Sequence, residues 1–355
     1  MSSILLFLGC IREHKYVMHK ILIEDLSPSS GAPPEFCMSE SSEEHHPARN
    51  GRAYYFKGLA LGREGRHEEA LATFTLALES DPMLAIAWVG RGFALGKMGR
   101  YEEEIECCDR AIGLDPRCID AWNNRGFACG MLARFDEKIE CCNRALEIDP
   151  ENATAWNNKG VALGMLGKFD AEILCCDRAL DLRPRYLSAW VNKGFALGRL
   201  KRYEDEIACY DRALKIYPYF FSALLKKGIA LINLKQYREA IDVLDRALAI
   251  EQGNAKALYR RGLALSVLGK HAEAIICLEK ALEIDPSIAD AWVVMSNSCF
   301  MVGKLEESAR AFDMAYYIDV KDVRTGVVKG LSLLKTGKFD DAIRSFSEVL
   351  GILLR

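Results

Sequence analysis

Hydrophobic and polar positions follow two helical periods, separated by a short break, in the stretch from Ala153 to Tyr186. The apolar or small positions are Trp156, Gly160, Leu163 and Leu166 in the first period and Phe169, Ile173, Cys176 and Leu180 in the second. Steps of three and four residues place each set on one face of an α-helix. Gly167 marks the break, and Pro184 ends the second helix because proline pushes the preceding residue out of the helical conformation. The stretch therefore predicts a hairpin of two helices.

The same pattern recurs every 34 residues without insertion. Nine copies begin at residues 51, 85, 119, 153, 187, 221, 255, 289 and 323, and we number the positions within each copy from 1 to 34. Most copies keep Gly at position 8, Ala at position 27 and Pro at position 32, and five have Trp at position 4. Because one small helical hairpin cannot bury its own apolar face, the copies are expected to stack. We therefore expect one elongated repeat domain over residues 51–355.

This combination of period, paired helices and Trp, Gly, Ala and Pro positions resembles the tetratricopeptide repeat family, including its bacterial and archaeal members. The resemblance covers residues 51–355. It implies an all-α fold, a right-handed superhelical solenoid of antiparallel helix pairs. It also implies that the first helix of each pair lines a concave groove that binds an extended peptide or a partner helix.

The resemblance also implies which residues face this groove, because the family lines it with first-helix positions 2, 5, 6, 9, 12 and 13, here called the groove positions. Successive amides at position 6 are similar to the asparagine ladder in the repeats of O-linked N-acetylglucosamine transferase. The implied peptide-binding residues are Asn124, Asn158 and Asn192 at position 6, Asn123 and Asn157 at position 5, and Phe93, Phe127 and Phe195 at position 9. Amides can bond to a peptide backbone of any sequence, and aromatic rings can hold side chains. The alternative is that these amides only suit a solvated helix face.

Copies six and seven carry basic groups at groove positions. Lys226 and Arg260 occupy position 6 and Lys256 occupies position 2. Lys256 and Arg260 resemble one half of the carboxylate clamp of chaperone-binding family members, whereas Val191 and Phe195 stand where the other half needs a Lys and an Asn. A contact with an acidic peptide and an ordinary solvated basic face both remain open.

A second charge pattern concerns the core. Position 7 is basic in eight copies, although Lys and Arg are rarely buried without a partner. We expect these bases to pair with a carboxylate at position 20 or at position 25, as a structural charge ladder. Position 20 is unusual because copies two to five carry Glu104, Lys138, Glu172 and Glu206 where the family usually has Ala. Lys138 does not fit the ladder.

Thirteen cysteines is a high count. Eight lie at positions 23 and 24 of the second helix, where other copies carry Tyr210, Leu244 or Phe312. We expect them to pack as small hydrophobic residues in a reducing cytoplasm. A thiol ladder for a soft metal is the alternative. Adjacent helical residues point about 100° apart, so each cysteine pair is expected to divide between core and flank.

The charge balance and the sequence motifs argue against several classes of function. The chain has 47 Lys and Arg against 50 Asp and Glu, so no global basic field attracts a nucleic acid. No stretch approaches the roughly 18 apolar residues of a membrane span. Phosphate-loop, metalloprotease and zinc motifs are absent from the sequence. We therefore expect a non-enzyme without cofactor or metal, with no nucleic-acid or membrane partner.

The two ends of the chain carry separate expectations. Residues 1–26 are interpreted as an N-terminal helix that caps the first repeat, and residues 27–50, rich in Ser, Pro and Glu, as a disordered linker. The ninth copy ends in an apolar segment, so self-association through this C-terminal repeat is expected.

These observations favour a non-catalytic, cytoplasmic protein–protein interaction scaffold. Two alternatives stay open: a substrate-recruiting accessory subunit of a separate enzyme such as a glycosyltransferase, and a co-chaperone-like binder of acidic peptides. The sequence does not identify the protein or peptide partner.

Overall fold

A computed structural model describes residues 47–318, 323–338 and 340–346. The predictions for residues 1–26, and for the linker up to residue 46, lie outside these ranges. Where the linker was expected to continue to residue 50, the first helix already begins at Pro47. Proline suits the first turn of a helix, because its missing N–H would have no helical partner there.

Two helices form each repeat, as the hydrophobic pattern predicted. The first helices are α1 (Pro47–Arg63), α3 (Ala85–Lys97), α5 (Ile119–Met131), α7 (Ala153–Met165), α9 (Leu187–Arg199), α11 (Phe221–Asn233), α13 (Ala255–Val267), α15 (Ala289–Met301) and α17 (Val323–Lys335). The second helices are α2 (His67–Ser80), α4 (Tyr101–Leu114), α6 (Phe135–Ile148), α8 (Phe169–Leu182), α10 (Tyr203–Ile216), α12 (Tyr237–Ile250), α14 (His271–Ile284) and α16 (Leu305–Ile318). Residues 340–346 are helical at the corresponding place in the ninth repeat.

The chain divides into two compact units, residues 1–196 and residues 197–355, with the boundary inside α9. In unit 1, α2, α4 and α6 each pack against the first helix of their own repeat and against the first helix that follows. In unit 2, α12, α14 and α16 do the same. The described part of each unit is therefore a stack of helix pairs, which confirms the all-α repeat solenoid class.

A left-handed residue at position 15 ends every first helix after which the turn is described. In the fourth repeat, Gly167 has a φ of 76°, and the N–H of Lys168 donates to the carbonyl of Leu163 at 2.9 Å. This six-to-one hydrogen bond is the Schellman arrangement that satisfies the last carbonyls of a helix. It turns the chain back on itself within three residues, so the second helix can pack against the first.

Tryptophan at position 4 ties each repeat to the loop of the repeat before it. The indole Nε1 of Trp156 donates to the carbonyl of Pro150 at 3.0 Å, while its ring packs against Ala145 and Leu146. The four other tryptophans make the equivalent bond at 2.9–3.0 Å. The half-buried tryptophans therefore contact the preceding repeat with both the ring and the indole N–H.

The cysteines at positions 23 and 24 are core residues, as predicted, but they do not divide between core and flank. Cys107, Cys108, Cys175 and Cys176 are all buried free thiols. An added Cβ on Gly160 would meet the Cβ of Cys175 at 3.2 Å, which shows how closely the two helices approach. Both cysteine faces are covered because each second helix lies between two first helices.

The predicted charge ladder forms through position 25 for five of the eight bases, and the alternative partner at position 20 was wrong. The repeats before Arg91 and Lys159 carry Thr75 and Asn143 at position 25 and supply no carboxylate there. A base at position 7 pairs with the aspartate at position 25 of the preceding repeat, as Arg125 does with Asp109 at 2.7 Å. The other pairs are Lys193–Asp177, Lys227–Asp211, Arg261–Asp245 and Lys329–Asp313, at 2.5–2.6 Å. These bonds link each second helix to the next first helix. Position 20 points instead into the contact between the two helices of its own repeat.

Candidate functional site

The amides predicted for the groove lie on α5, α7 and α9 of unit 1, and two of them are bonded to each other. The Nδ2 of Asn192 donates to the Oδ1 of Asn157 at 3.0 Å, and both side chains are buried. A position-6 amide thus contacts the position-5 amide of the preceding repeat. Their free hydrogen-bonding capacity is correspondingly smaller than the sequence suggested.

The same pairing is incomplete one repeat earlier. Asn123 is the equivalent of Asn157, and its buried Oδ1 has no hydrogen-bond partner among the residues that the structure describes. Asn124 and Asn158 are half-buried. A buried amide oxygen without a hydrogen-bond partner costs about 1–3 kcal/mol of folding free energy.

The position-9 aromatic residues Phe93, Phe127 and Phe195 are all half-buried. The ammonium of Lys97 lies 5.0 Å from the Phe93 ring centroid, and the Tyr101 and Phe127 rings meet edge to face at 6.2 Å. These contacts hold the rings in place and leave part of each accessible. They also place a cation, Lys97, beside the first ring.

Charged side chains at position 20 lie beneath groove position 12, an arrangement that sequence reasoning missed. Glu104, Lys138 and Glu172 are only 2%, 4% and 1% exposed. Each lies against a glycine at position 12 of its own repeat, and a Cβ added to that glycine would overlap the charged side chain. The three glycines are Gly96, Gly130 and Gly164. The glycines therefore make the room that the long side chains need, which accounts for how Lys138 fits.

The sequence did carry a signal for this arrangement. Unit 2 contains the same pairing in Gly198 and Glu206. Where position 20 is alanine, in copies six and seven, position 12 is instead larger; these pairs are Ile232 with Ala240 and Ser266 with Ala274. In these six repeats a small residue at one position accompanies a larger residue at the other, whereas the first repeat has small residues, Gly62 and Ala70, at both. The co-occurrence of glycine and a charged residue in the same copies could have revealed it.

Burial changes the protonation of these acids. It raises the pKa of Glu104 to about 8, although the nearby Lys97 ammonium opposes the shift. It also raises the pKa of Glu172 to about 8, and here burial is the sole cause. The Oε2 atoms of both carboxyls have no hydrogen-bond partner. In unit 2, burial raises the pKa of Glu206 to about 7, opposed by the Tyr210 hydroxyl at 3.0 Å and by Lys226.

Two cysteine sulfur atoms lie beside the guanidinium of Arg125 in unit 1. Its Nη1 lies 3.2 Å from the Sγ of Cys141 and 3.9 Å from the Sγ of Cys129. The pKa of Cys141 is lowered to about 7, mainly by a hydrogen bond from Cys129 and also by the contact with Arg125, although burial opposes the shift. Both thiols are buried, and the guanidinium also belongs to the charge ladder with Asp109. The group is therefore part of the core between helices.

The basic residues predicted for unit 2 lie on α11 and α13. Lys226, Lys256 and Arg260 are half-buried. Lys256 and Arg260 are one helical turn apart on the same face. The guanidinium of Arg260 lies 4.9 Å from the ring centroid of Tyr259, and its Nε has no hydrogen-bond partner. The contact with the ring orients the guanidinium.

In the described ranges, no three His, Cys, Asp or Glu side chains converge in a way that would hold a metal ion. Likewise, none of the helices described combines the length and apolar character that a bilayer crossing requires.

Comparison with solved structures identifies the fold. PilF of Pseudomonas aeruginosa matches with a TM-score of 0.53 and 19% identity, covering 59% of this chain and 96% of its own. A tetratricopeptide repeat protein from Parabacteroides merdae matches with a TM-score of 0.55 and 13% identity, covering 70% of this chain and 99% of its own. PilW, described as a type IV pilus biogenesis factor, matches with a TM-score of 0.55 and 20% identity, covering 58% of this chain and 96% of its own. A search of curated proteins gave no match.

Sequence profiles of known families give the assignment. A protein prenyltransferase alpha subunit repeat profile matches residues 101–132, which cover the second helix α4 and the first helix α5. Profiles described as tetratricopeptide repeat match 51–82, 119–152, 187–220 and 221–254, then 255–288, and also 141–173. Together these segments cover more than half of the chain, and all of them except 141–173 share the register of the helix pairs. The chain therefore belongs to the tetratricopeptide repeat family.

Proposed function

We propose that the first-helix face of unit 1 binds an extended peptide segment of a protein partner. The tetratricopeptide repeat fold supports a protein–protein interaction scaffold in general, and proteins of this family are generally non-catalytic. The proposal here is narrower. It assigns backbone recognition to the amides of α5, α7 and α9 and side-chain contacts to the position-9 rings.

The observation that supports it best is the amide at Asn123. Its buried Oδ1 lacks the partner that the equivalent Asn157 has in Asn192. The N–H of an extended peptide would supply that partner. The half-buried amides of Asn124 and Asn158 lie on the same two helices and can each donate and accept. Phe93, Phe127 and Phe195 offer apolar surface next to them.

Selection from a phage-displayed library of random peptides, with the full chain as bait, tests this function. The Kd of a selected peptide is then measured by fluorescence polarization against the chain and against a variant with Asn123→Ala, Asn124→Ala and Asn158→Ala. We expect the variant to bind about tenfold or more weakly, because each lost hydrogen bond contributes about 0.5–1.5 kcal/mol.

Arg110→Ala with Glu140→Ala is the matched control, since both residues are exposed on second helices. This variant should keep the affinity of the parent chain. Equal affinity of the asparagine variant and this control, with unchanged circular dichroism, would contradict the proposed role of the amides.

A second candidate function is favoured by the basic groups of unit 2. Lys256 and the stacked Arg260 share one face of α13, which suits a carboxylate-bearing peptide. Lys256→Glu should weaken binding of a blocked peptide rich in Asp and Glu by about tenfold, measured by calorimetry at low salt. Lys270→Glu is the control, because this exposed lysine lies in the turn before α14. Unchanged affinity in Lys256→Glu would exclude the acidic-peptide contact.

A further inference from the structure

One face of α1 is exposed, although the same face is buried in the later repeats of unit 1. Ala53 and Ala60, at positions 3 and 10, are exposed. Repeats two to five also have alanine at both positions, and there none is more than 1% exposed; these residues are Ala87, Ala94, Ala121, Ala128, Ala155, Ala162, Ala189 and Ala196. Among the described residues, the first repeat therefore lacks the cover that the four others have.

In the later repeats this cover is the second helix of the preceding repeat. Ala155 of α7, for example, belongs to one apolar cluster with Ala145 and Leu146 of α6. The described part of the chain begins with α1 at Pro47, so no described helix lies in the corresponding place. A solenoid needs a terminal element that covers the apolar face of its end repeat.

Phe56 and Lys57 lie on the same face as the two alanines, because positions 3, 6, 7 and 10 are separated by helical spacings. Phe56 is 64% exposed, and Lys57 is exposed as well. Where the charge ladder forms, the base at position 7 meets an aspartate of the preceding second helix. The α1 end face, defined as Ala53, Phe56, Lys57 and Ala60, is thus an apolar stripe that also offers a base to a carboxylate.

We infer that residues 4–26 of this chain form a helix that packs on the α1 end face, in the place that a preceding second helix has in later repeats. The segment is joined to α1 at Pro47 through residues 27–46. This connection reaches about 65 Å when fully extended, whereas α1 is about 25 Å long, so the segment can reach the whole face. The tether gives an effective concentration on the order of 1 mM. The inference does not depend on the proposed peptide binding.

The sequence of the segment suits this face in both pattern and charge. Glu13 and Lys20 fall on one side of the expected helix, and the apolar residues recur at helical spacing on the other side, at Ile4, Phe7, Ile11, Met18 and Leu22. Residues 1–46 carry seven Asp and Glu against three Lys and Arg, whereas α1 carries four Lys and Arg and no acid. Opposite net charges favour their association. A second copy of the chain would offer the same segment without the advantage of the tether.

Hydrogen–deuterium exchange of the full chain, read by mass spectrometry after pepsin digestion, tests the inference. Amides within residues 4–26 should exchange about tenfold or more slowly than in a synthetic peptide of the same sequence, because an isolated helix of this length is marginal in water and a docked one is protected. Phe56→Glu should remove this protection, since it places a carboxylate against apolar side chains. Phe56 is largely exposed, so the circular dichroism spectrum should match that of the parent chain.

Leu174→Glu is the matched control, because Leu174 on α8 is 70% exposed and lies outside the α1 end face. This variant should keep the protection of residues 4–26. Ile11→Glu with Met18→Glu changes the other side of the contact and should remove the protection as Phe56→Glu does. Light scattering, at the protein concentrations used for exchange, gives the mass of each variant.

Each outcome decides for or against the α1 end face as the docking surface. Exchange of residues 4–26 that is as fast in the full chain as in the synthetic peptide would overturn the inference. Protection that survives Phe56→Glu would place the segment elsewhere, and protection seen only together with a dimeric mass would assign the cover to a second copy. Protection in a monomer that Phe56→Glu removes and Leu174→Glu retains would support the inference.

Discussion

At position 15 the backbone conformation is the same in every described repeat, but the residue is not always glycine. Every described turn inside a repeat has a left-handed residue at position 15, and six of these residues are glycine. Ala133, Lys201 and Lys235 adopt the same conformation with φ near 60°. A side chain in this conformation costs about 1–2 kcal/mol because its Cβ approaches the following carbonyl oxygen. The Schellman turn imposes this backbone conformation whatever the side chain.

Replacing Lys201 with glycine should therefore stabilise the protein. The expected gain is about 1 kcal/mol, somewhat less than the relieved strain because glycine also gains freedom in the unfolded chain. Urea denaturation followed by circular dichroism measures the change. Gly99→Ala is the reciprocal control and should destabilise by a similar amount, since Gly99 has a φ of 79°. A lower urea midpoint for Lys201→Gly would show that the turn does not require glycine.

At the scale of helices, the two sets of charges behave differently. The ladder between positions 7 and 25 joins neighbouring helices through bases that are about one-fifth exposed, as in the Arg125–Asp109 and Lys193–Asp177 pairs. Such pairs add little free energy but fix the register between helices. The acids at position 20 lie inside a helix pair, and burial raises their pKa values. The acids of the second set therefore favour the protonated form.

The buried acids predict how the stability of the protein changes with pH. Glu104 and Glu172 have folded pKa values near 8, against a usual value of 4.5, so between these limits the folded state binds protons that the unfolded state has lost. The free energy of unfolding must then fall as the pH rises from about 5 to 8. We expect Tm to be several degrees higher at pH 5.5 than at pH 8, measured by calorimetry.

The variant with Glu104→Gln and Glu172→Gln should lose most of this pH dependence. Asp109→Asn and Asp177→Asn, which alter only exposed members of the charge ladder, should retain it. A Tm that is flat or rises between pH 5.5 and 8 in the parent chain would show that the two acids are ionised in the folded protein.

At the scale of the whole molecule, each unit is built from contacts between neighbours in the chain. Solenoids of this kind gain their stability from each repeat and its interface with the next, without long-range pairing. The solved structures of similar fold share less than a quarter of their residues with this chain, so the fold persists although most side chains differ. The right-handed superhelix, and self-association through the ninth repeat, whose residues 347–355 lie outside the described ranges, stay predictions.

The repeat and its helix pairs could be derived from the sequence alone, although the first helix begins four residues before the predicted repeat boundary. A 34-residue hairpin with two apolar stripes can bury them only by stacking on its neighbours, and because the copies have no insertions, each one stacks in the same way. Position 7 was expected to pair with an acid because a base there could not be buried alone. Only the structure chose position 25, since the choice depends on how far one second helix lies from the next first helix.

Only the tertiary structure shows which partners the amides and the buried acids have. The bond between Asn157 and Asn192, and its absence at Asn123, depend on the separation of adjacent first helices, which no spacing within one helix encodes. The Glu172 carboxyl reaches Gly164 because two helices of one repeat touch at that point. The sequence determined which helix faces are apolar and must be buried. The packing of helices determined which of the buried polar side chains found hydrogen-bond partners and which did not.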